Sequence, residues 1–189
     1  MKLISEIKVN LPGFRSAAVG CDEPFEMLKA CHERVQRMLD LLDKARTHAL
    51  TKGCDATLNS AFTDVMRYFD LAAPLHHLDE ELHVFPIVLA NGNQIQKEMV
   101  RVLIQDHETM THLWQKVRSV LAEVIETPRE LPIFSCHDNY LMDDFRNAYA
   151  KHISNEELSL YPASIQFMSN QDIASMAEEM KVRRGVVLN

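Results

Sequence analysis

His76-His77-Leu78-Asp79-Glu80-Glu81-Leu82-His83-Val84-Phe85-Pro86 recurs as His152-Ile153-Ser154-Asn155-Glu156-Glu157-Leu158-Ser159-Leu160-Tyr161-Pro162. Both copies read His-x-x-x-Glu-Glu-Leu-x-x-aromatic-Pro in one register. Residues four apart share a helical face, so each copy aims an imidazole and a carboxylate at one point, which is the spacing of metal ligands. The repeat extends backward. Cys31-His32-Glu33 lies 44 residues before His76, and Asp106-His107-Glu108 lies 45 before His152. Leu28 and Leu103 stand one turn before the earlier histidines, as Ala72 and Ala148 do before the later ones. The chain reads as a duplicated helical hairpin.

Helix breakers divide the rest. Asp22 and Pro24 open a helix that ends at Gly53, and Asp55 caps a second that runs to about Ala90, before Asn91-Gly92-Asn93. The third spans about Gln94 to Glu126 and stops at Thr127-Pro128. The fourth begins near Pro132 and carries the second motif to Ser169-Asn170, after which a short amphipathic helix ends at Gly185. No segment alternates as a strand does. The predicted fold is all-α: an up-down-up-down four-helix bundle over residues 22–189, with an extra C-terminal helix and an N-terminal arm over residues 1–21. Pro74, Pro86 and Pro162 each remove an amide donor and are expected to kink or end their helices.

In such a bundle the four histidines fall at one height. His32 lies 21 residues before Gly53 and His76 lies 23 beyond it, while His76 and His107 lie 16 and 15 residues from Gly92. His107 and His152 lie 21 and 24 from Pro128. With a rise of about 1.5 Å per residue, these offsets agree within roughly one turn. An isolated histidine on a helix is ordinarily a hydrogen-bonded core residue or a surface one, and paired glutamates are ordinarily solvated. Four imidazoles and two carboxylates buried in one layer without a cation would cost several kcal/mol.

The 189 residues are 47% apolar, with five glycines and seven prolines, enough for one compact core. A net charge of -7 and a pI near 5.7 argue against nucleic acid as a partner. Lys181-Val182-Arg183-Arg184 reads as cations near a helix C-terminus. Cys21, Cys31, Cys54 and Cys136 lack C-x-x-C spacing and suit reduced thiols. No apolar segment resembles a signal peptide or a membrane span, so the expected location is the cytoplasm.

The four spaced histidines and the two H-x-x-x-E-E-x-x-[FY]-P strings, spanning roughly residues 23 to 168, resemble the hemerythrin-like, or HHE cation-binding, domains of bacterial type. The resemblance implies a four-helix bundle around a non-haem di-iron centre. Its ligands would be His32, His76, Glu80, His107, His152 and Glu156, with Glu80 and Glu156 as bridging carboxylates. Imidazole and carboxylate suit iron, with other divalent metals as substitutes, whereas a closed structural zinc site more usually employs thiolates.

Oxygen-carrying hemerythrins place two ligand histidines four residues apart on the third helix. Here Thr111 stands four beyond His107, and the nearest spare, His112, turns away from it. That departure implies a site open to a small molecule and resembles the six-ligand members associated with nitric oxide, peroxide or iron–sulfur repair. His77 lies about 100° round the helix from His76 and is expected in an outer or helix-contact position. Glu81 and Glu157 are the outer members of their pairs, with register of Glu81 with His77 and an i+5 role for Glu157 left open. Glu80-x-x-His83 resembles a ferritin-type pair whose mate is lacking, because Ser159 replaces the histidine. His48 and His137 read as surface residues.

The function expected is binding of two irons for sensing or handling oxygen, nitric oxide or peroxide, or for iron storage. The alternative is a redox enzyme or an iron-donating repair protein. Repair proteins of the related type often carry an N-terminal cysteine-bearing domain, and the arm here holds only Cys21. The partner expected is a diatomic molecule or peroxide, with room for an oligomer.

Overall fold

The computed structural model describes residues 23–128 and 130–185. The predicted arm, residues 1–21, and the capping role given to Asp22 lie outside the described residues. The architecture consists of α1 (Pro24–Lys52), α2 (Ala56–Asp79), α3 (Phe85–Asn91), α4 (Gln94–Glu126), α5 (Cys136–Asn155), α6 (Tyr161–Phe167) and α7 (Asn170–Arg183). Two π-helical turns, Glu80–Val84 and Glu156–Leu160, join α2 to α3 and α5 to α6. Four long rods result, each packed against its neighbour in sequence, and α7 lies beside α1 and α2. There is no strand among the described residues, so the all-α expectation holds.

The ends are set by local chemistry. Asp55 accepts from the Leu58 amide at 2.8 Å, and Asn93 with Gln96 forms a reciprocal capping box. Gly53 terminates α1 at φ +71, a left-handed conformation that glycine adopts without a Cβ penalty. The fourth rod starts at Cys136 and not near Pro132. Ser135 and Asp138 form the capping box that fixes this start, while Ile133 and Phe134 plug the core from the preceding loop.

Of the two outcomes expected at the prolines, a kink or an end, none of the three is an end. Pro74 sits on an exposed face, where water can solvate the carbonyl it leaves unpaired, and α2 continues to Asp79. At Pro86 and Pro162 the preceding turn widens instead. The Phe85 amide donates to the Glu80 carbonyl and the Tyr161 amide to that of Glu156, both five residues back. The chain thereby absorbs the missing amide donor and keeps running.

The core has two apolar clusters. One contains Val35, Phe69, Ala73, Met110, Trp114, Phe145 and Tyr149. The other contains Leu28, Val84, Phe85, Leu103, Leu160, Tyr161 and Met180. Every rod passes from one cluster to the other, in alternating directions, through the level of the motif histidines. A polar layer is thus sealed between two apolar ones. Among the described residues no helix is long and apolar enough to cross a membrane.

Candidate metal centre

The six residues singled out by the repeat converge in this layer. His32, His76, Glu80, His107, His152 and Glu156 are each at most 4% exposed, although four of them come from four different rods. Glu156 lies at the centre of one side: its Oε2 is 3.1 Å from His32 Nε2, and its Oε1 is 3.0 Å from His152 Nε2 and 3.8 Å from His107 Nε2. Glu80 Oε2 lies 3.6 Å from His76 Nε2 and 3.5 Å from His107 Nε2. The Nε2 atoms of His32 and His76 are 3.0 Å apart.

These atoms form two overlapping sets. His32, His76, Glu80 and Glu156 make one, and Glu80, His107, His152 and Glu156 make the other, with the ligating atoms of each within 4.8 Å of one another. Both carboxylates belong to both sets. Glu80 Oε2, both carboxylate oxygens of Glu156, His107 Nε2 and His152 Nε2 are buried without a hydrogen-bond partner. Unpartnered polar atoms are rare in protein interiors, and here they all face one space. That donor set is one a metal cation fits.

The electrostatics agree. Burial, then repulsion from Glu156, pushes the Glu80 carboxyl up to about 7. Burial alone would also raise Glu156, but the imidazoles of His107, His152 and His32 hold it well below the usual carboxylate range. Burial opposes protonation of His107, yet Glu156, Glu80 and Glu81 together raise it to about 10. Without metal, the cluster balances its carboxylates with protons that a cation would displace.

Sequence reasoning took Glu81 and Glu157 as outer residues and did not find their partners. The Nδ1–H of His107 donates to Glu81 Oε1 at 2.8 Å, and the Nδ1–H of His32 donates to Glu157 Oε1 at 2.8 Å. Each outer glutamate thus reaches across to the neighbouring hairpin and turns the Nε2 lone pair of its histidine inward. The register of Glu81 with His77 does not form. Consecutive Glu-Glu in both copies was the signal, and the wide π turn that begins at the inner glutamate is what lets its neighbour serve another helix.

The aromatic positions of the repeat also contribute. Phe85 stacks on His107 at a centroid distance of 5.4 Å, and Tyr161 stacks on His32 at 5.8 Å. The Tyr161 hydroxyl donates a short hydrogen bond to Glu80 Oε1. His77 does not stand apart from the layer: its ring lies on that of His107, 3.9 Å between centroids and 10° from parallel.

His83 accepts from Arg183 Nη2 at 2.8 Å and so belongs to a different cluster, which removes the ferritin-like pairing with Glu80. Arg183 Nε donates to Asp79 Oδ1 at 2.8 Å, and Arg184 Nη2 donates to Asp79 Oδ2. Asp79 is fully buried, so these cations pair with the motif helix and do not simply decorate the end of α7. His48 pairs with the capping Asp55 at 2.9 Å, and His112 and His137 are exposed. Thr111 donates to the His107 carbonyl at 2.8 Å and helps line a cleft of about 490 Å³ between α2 and α4, whose inner wall includes His77, Glu81 and His107.

The hemerythrin HHE cation-binding domain matches residues 23–164. An uncharacterized protein of Haemophilus influenzae is 34% identical over 169 residues, which is 87% of this chain and 92% of that protein. With its duplicated motif, its helical bundle and a buried His/Glu cluster at the level the repeat requires, the chain belongs to the hemerythrin HHE cation-binding family.

Proposed function

We propose that the protein holds two iron ions, one between His32 and His76 and the other between His107 and His152, with Glu80 and Glu156 shared. The observation that carries this reading is the burial of two carboxylates between two imidazole pairs with their inward oxygens unpartnered. Imidazole with carboxylate is a donor set that suits iron, and among the described residues no cysteine joins either set. Bound iron would supply redox chemistry and a coordination position for oxygen, nitric oxide or peroxide. The chain's own residues enclose that chemistry: Glu81 and Glu157 orient two imidazoles, Tyr161 holds Glu80, and the two apolar clusters exclude water. The cleft beside His107 supports entry of a molecule of that size.

A role in sensing or handling a small molecule is favoured over iron storage or donation, because ligands sealed at 0 to 4% exposure resist release of the metal. The thiols of Cys31 and Cys136, which form no disulfide, fit a reducing cytoplasmic setting. Elemental analysis of protein expressed with ample iron should give close to two metals per chain, and chelation should lower the melting temperature, since ions that bind only the folded state stabilise it. Absence of metal together with an unchanged melting temperature on chelation would overturn the reading.

A further inference from the structure

The two copies of the motif differ at the aromatic position before proline, which is Phe85 in the first and Tyr161 in the second. Both rings pack alike. Phe85 lies on His107 and Tyr161 on His32, 28° and 8° from parallel, and each aromatic residue is 1% exposed. The edge of Phe25, 5.7 Å away between centroids, fixes the Tyr161 ring further. What distinguishes the copies is one hydroxyl, placed inside the metal layer.

That hydroxyl makes the two shared carboxylates unequal. Tyr161 Oη donates to Glu80 Oε1 and lies 3.4 Å from His32 Nε2, the nitrogen that faces Glu156. It therefore occupies the approach to Oε1 from the His32 side. Glu80 is left with Oε2 alone unpartnered, 3.6 Å from His76 Nε2 and 3.5 Å from His107 Nε2. Phe85 has no hydroxyl to offer Glu156, and both oxygens of Glu156 are unpartnered, Oε2 toward His32 and Oε1 toward His152. Buried oxygens without a partner are the ones a cation would take.

We propose that Tyr161 is a positioning residue that makes Glu80 a ligand through Oε2 alone and leaves Glu156 to bridge the two ions through both oxygens. Resting on the two-metal reading, this assigns the two glutamates of the repeat different tasks. The phenol holds Oε1 away from the ion between His32 and His76, so a coordination position there stays free for a small anion or a diatomic molecule. Tyr161 acts through Glu80 and forms no bond to metal, in the way that hydrogen bonds to ligating carboxylates tune a metal site.

Infrared difference spectra, zinc-loaded minus metal-free, of protein carrying isotope-labelled glutamate test the proposal. The spacing between the two carboxylate stretches is wide when one oxygen binds metal and narrow when both do. The native protein should take up two zinc ions and show one wide pair and one narrow pair. Tyr161→Phe, which places the ring of the first copy in the second, should also take up two ions but turn the wide pair narrow. Loaded with cobalt(II), this variant should bind azide at least about tenfold more weakly than the native protein, because Oε1 fills the free position. Circular dichroism melts check its fold, and the native spectrum decides the matter if the variant does not fold. Two narrow pairs in the native protein, or a wide pair and native azide affinity that survive in Tyr161→Phe, would show that the hydroxyl does not position Glu80. An intense visible charge-transfer band in the native ferric protein that Tyr161→Phe lacks would make Tyr161 itself a ligand and overturn the proposal. Failure of the native protein to take up two ions would instead overturn the two-metal reading itself.

Discussion

Glu81 holds His107 from outside the metal layer, with Oε1 2.8 Å from Nδ1, while Glu80, one residue earlier, is buried inside it. Adjacent residues of one motif therefore act on the same histidine from opposite sides. The outer carboxylate is 44% exposed on its side chain, so its contribution to fold stability is small and its effect falls on the orientation and basicity of the imidazole.

Replacing inner and outer glutamates should have different consequences. Glu80→Ala or Glu156→Ala removes a carboxylate shared by both sets and should abolish binding of at least one metal. Glu81→Ala or Glu157→Ala should leave the stoichiometry at two and weaken affinity by about 10–100-fold. Competition titration against a chelator of known affinity distinguishes these outcomes; equal losses in all four variants would contradict the division of roles.

Stability of the metal-free protein should fall as pH rises above neutrality. His107 is raised from 6.5 to about 10 and Glu80 from 4.5 to about 7, so both bind their protons more tightly when folded. Their contribution is complete below the unfolded values. It is lost as pH climbs from 4.5 to 7 for Glu80 and from 6.5 to 10 for His107. Glu156, held low, acts oppositely and loses its contribution as pH falls below 4.5. Metal binds the deprotonated ligands, so the gap in melting temperature between loaded and metal-free protein should widen from pH 6 to pH 9. Calorimetric scans showing a constant gap would refute this.

Arg184→Ala should destabilise the fold by about 3 kcal/mol, because it strips a hydrogen-bonded cation from the fully buried Asp79. Arg183 remains on Oδ1, which places the loss at the lower end for a broken buried pair. Urea denaturation measures the change; a loss under about 1 kcal/mol would mean that water replaces the guanidinium.

Phe69→Ala should cost about 3–5 kcal/mol, since Phe69 touches Trp114, Phe145, Tyr149 and Tyr68 at ring distances of 5.0 to 5.8 Å. The folded fraction should still bind metal, because this cluster lies beyond the polar layer. Loss of metal from protein that remains folded would show the two layers to be coupled.

The repeat in the sequence determined the bundle, its helix boundaries to within a few residues and the height at which the six candidate residues meet. Periodicity and spacing are properties of the chain itself, so a one-dimensional reading reaches them. Three features were decided only by tertiary structure. Pro86 and Pro162 were expected to kink or end their helices, but whether a missing amide does so or widens the preceding turn depends on what holds the following segment, and here Phe85 and Tyr161 are anchored in the apolar cluster below. Glu81 and Glu157 looked solvated, because their partners His107 and His32 are 26 and 125 residues away and belong to the other hairpin. His77 looked like an outer residue because the 100° between successive helical positions turns it from His76. It turns toward α4, and only the placement of that helix puts His107 beneath its ring.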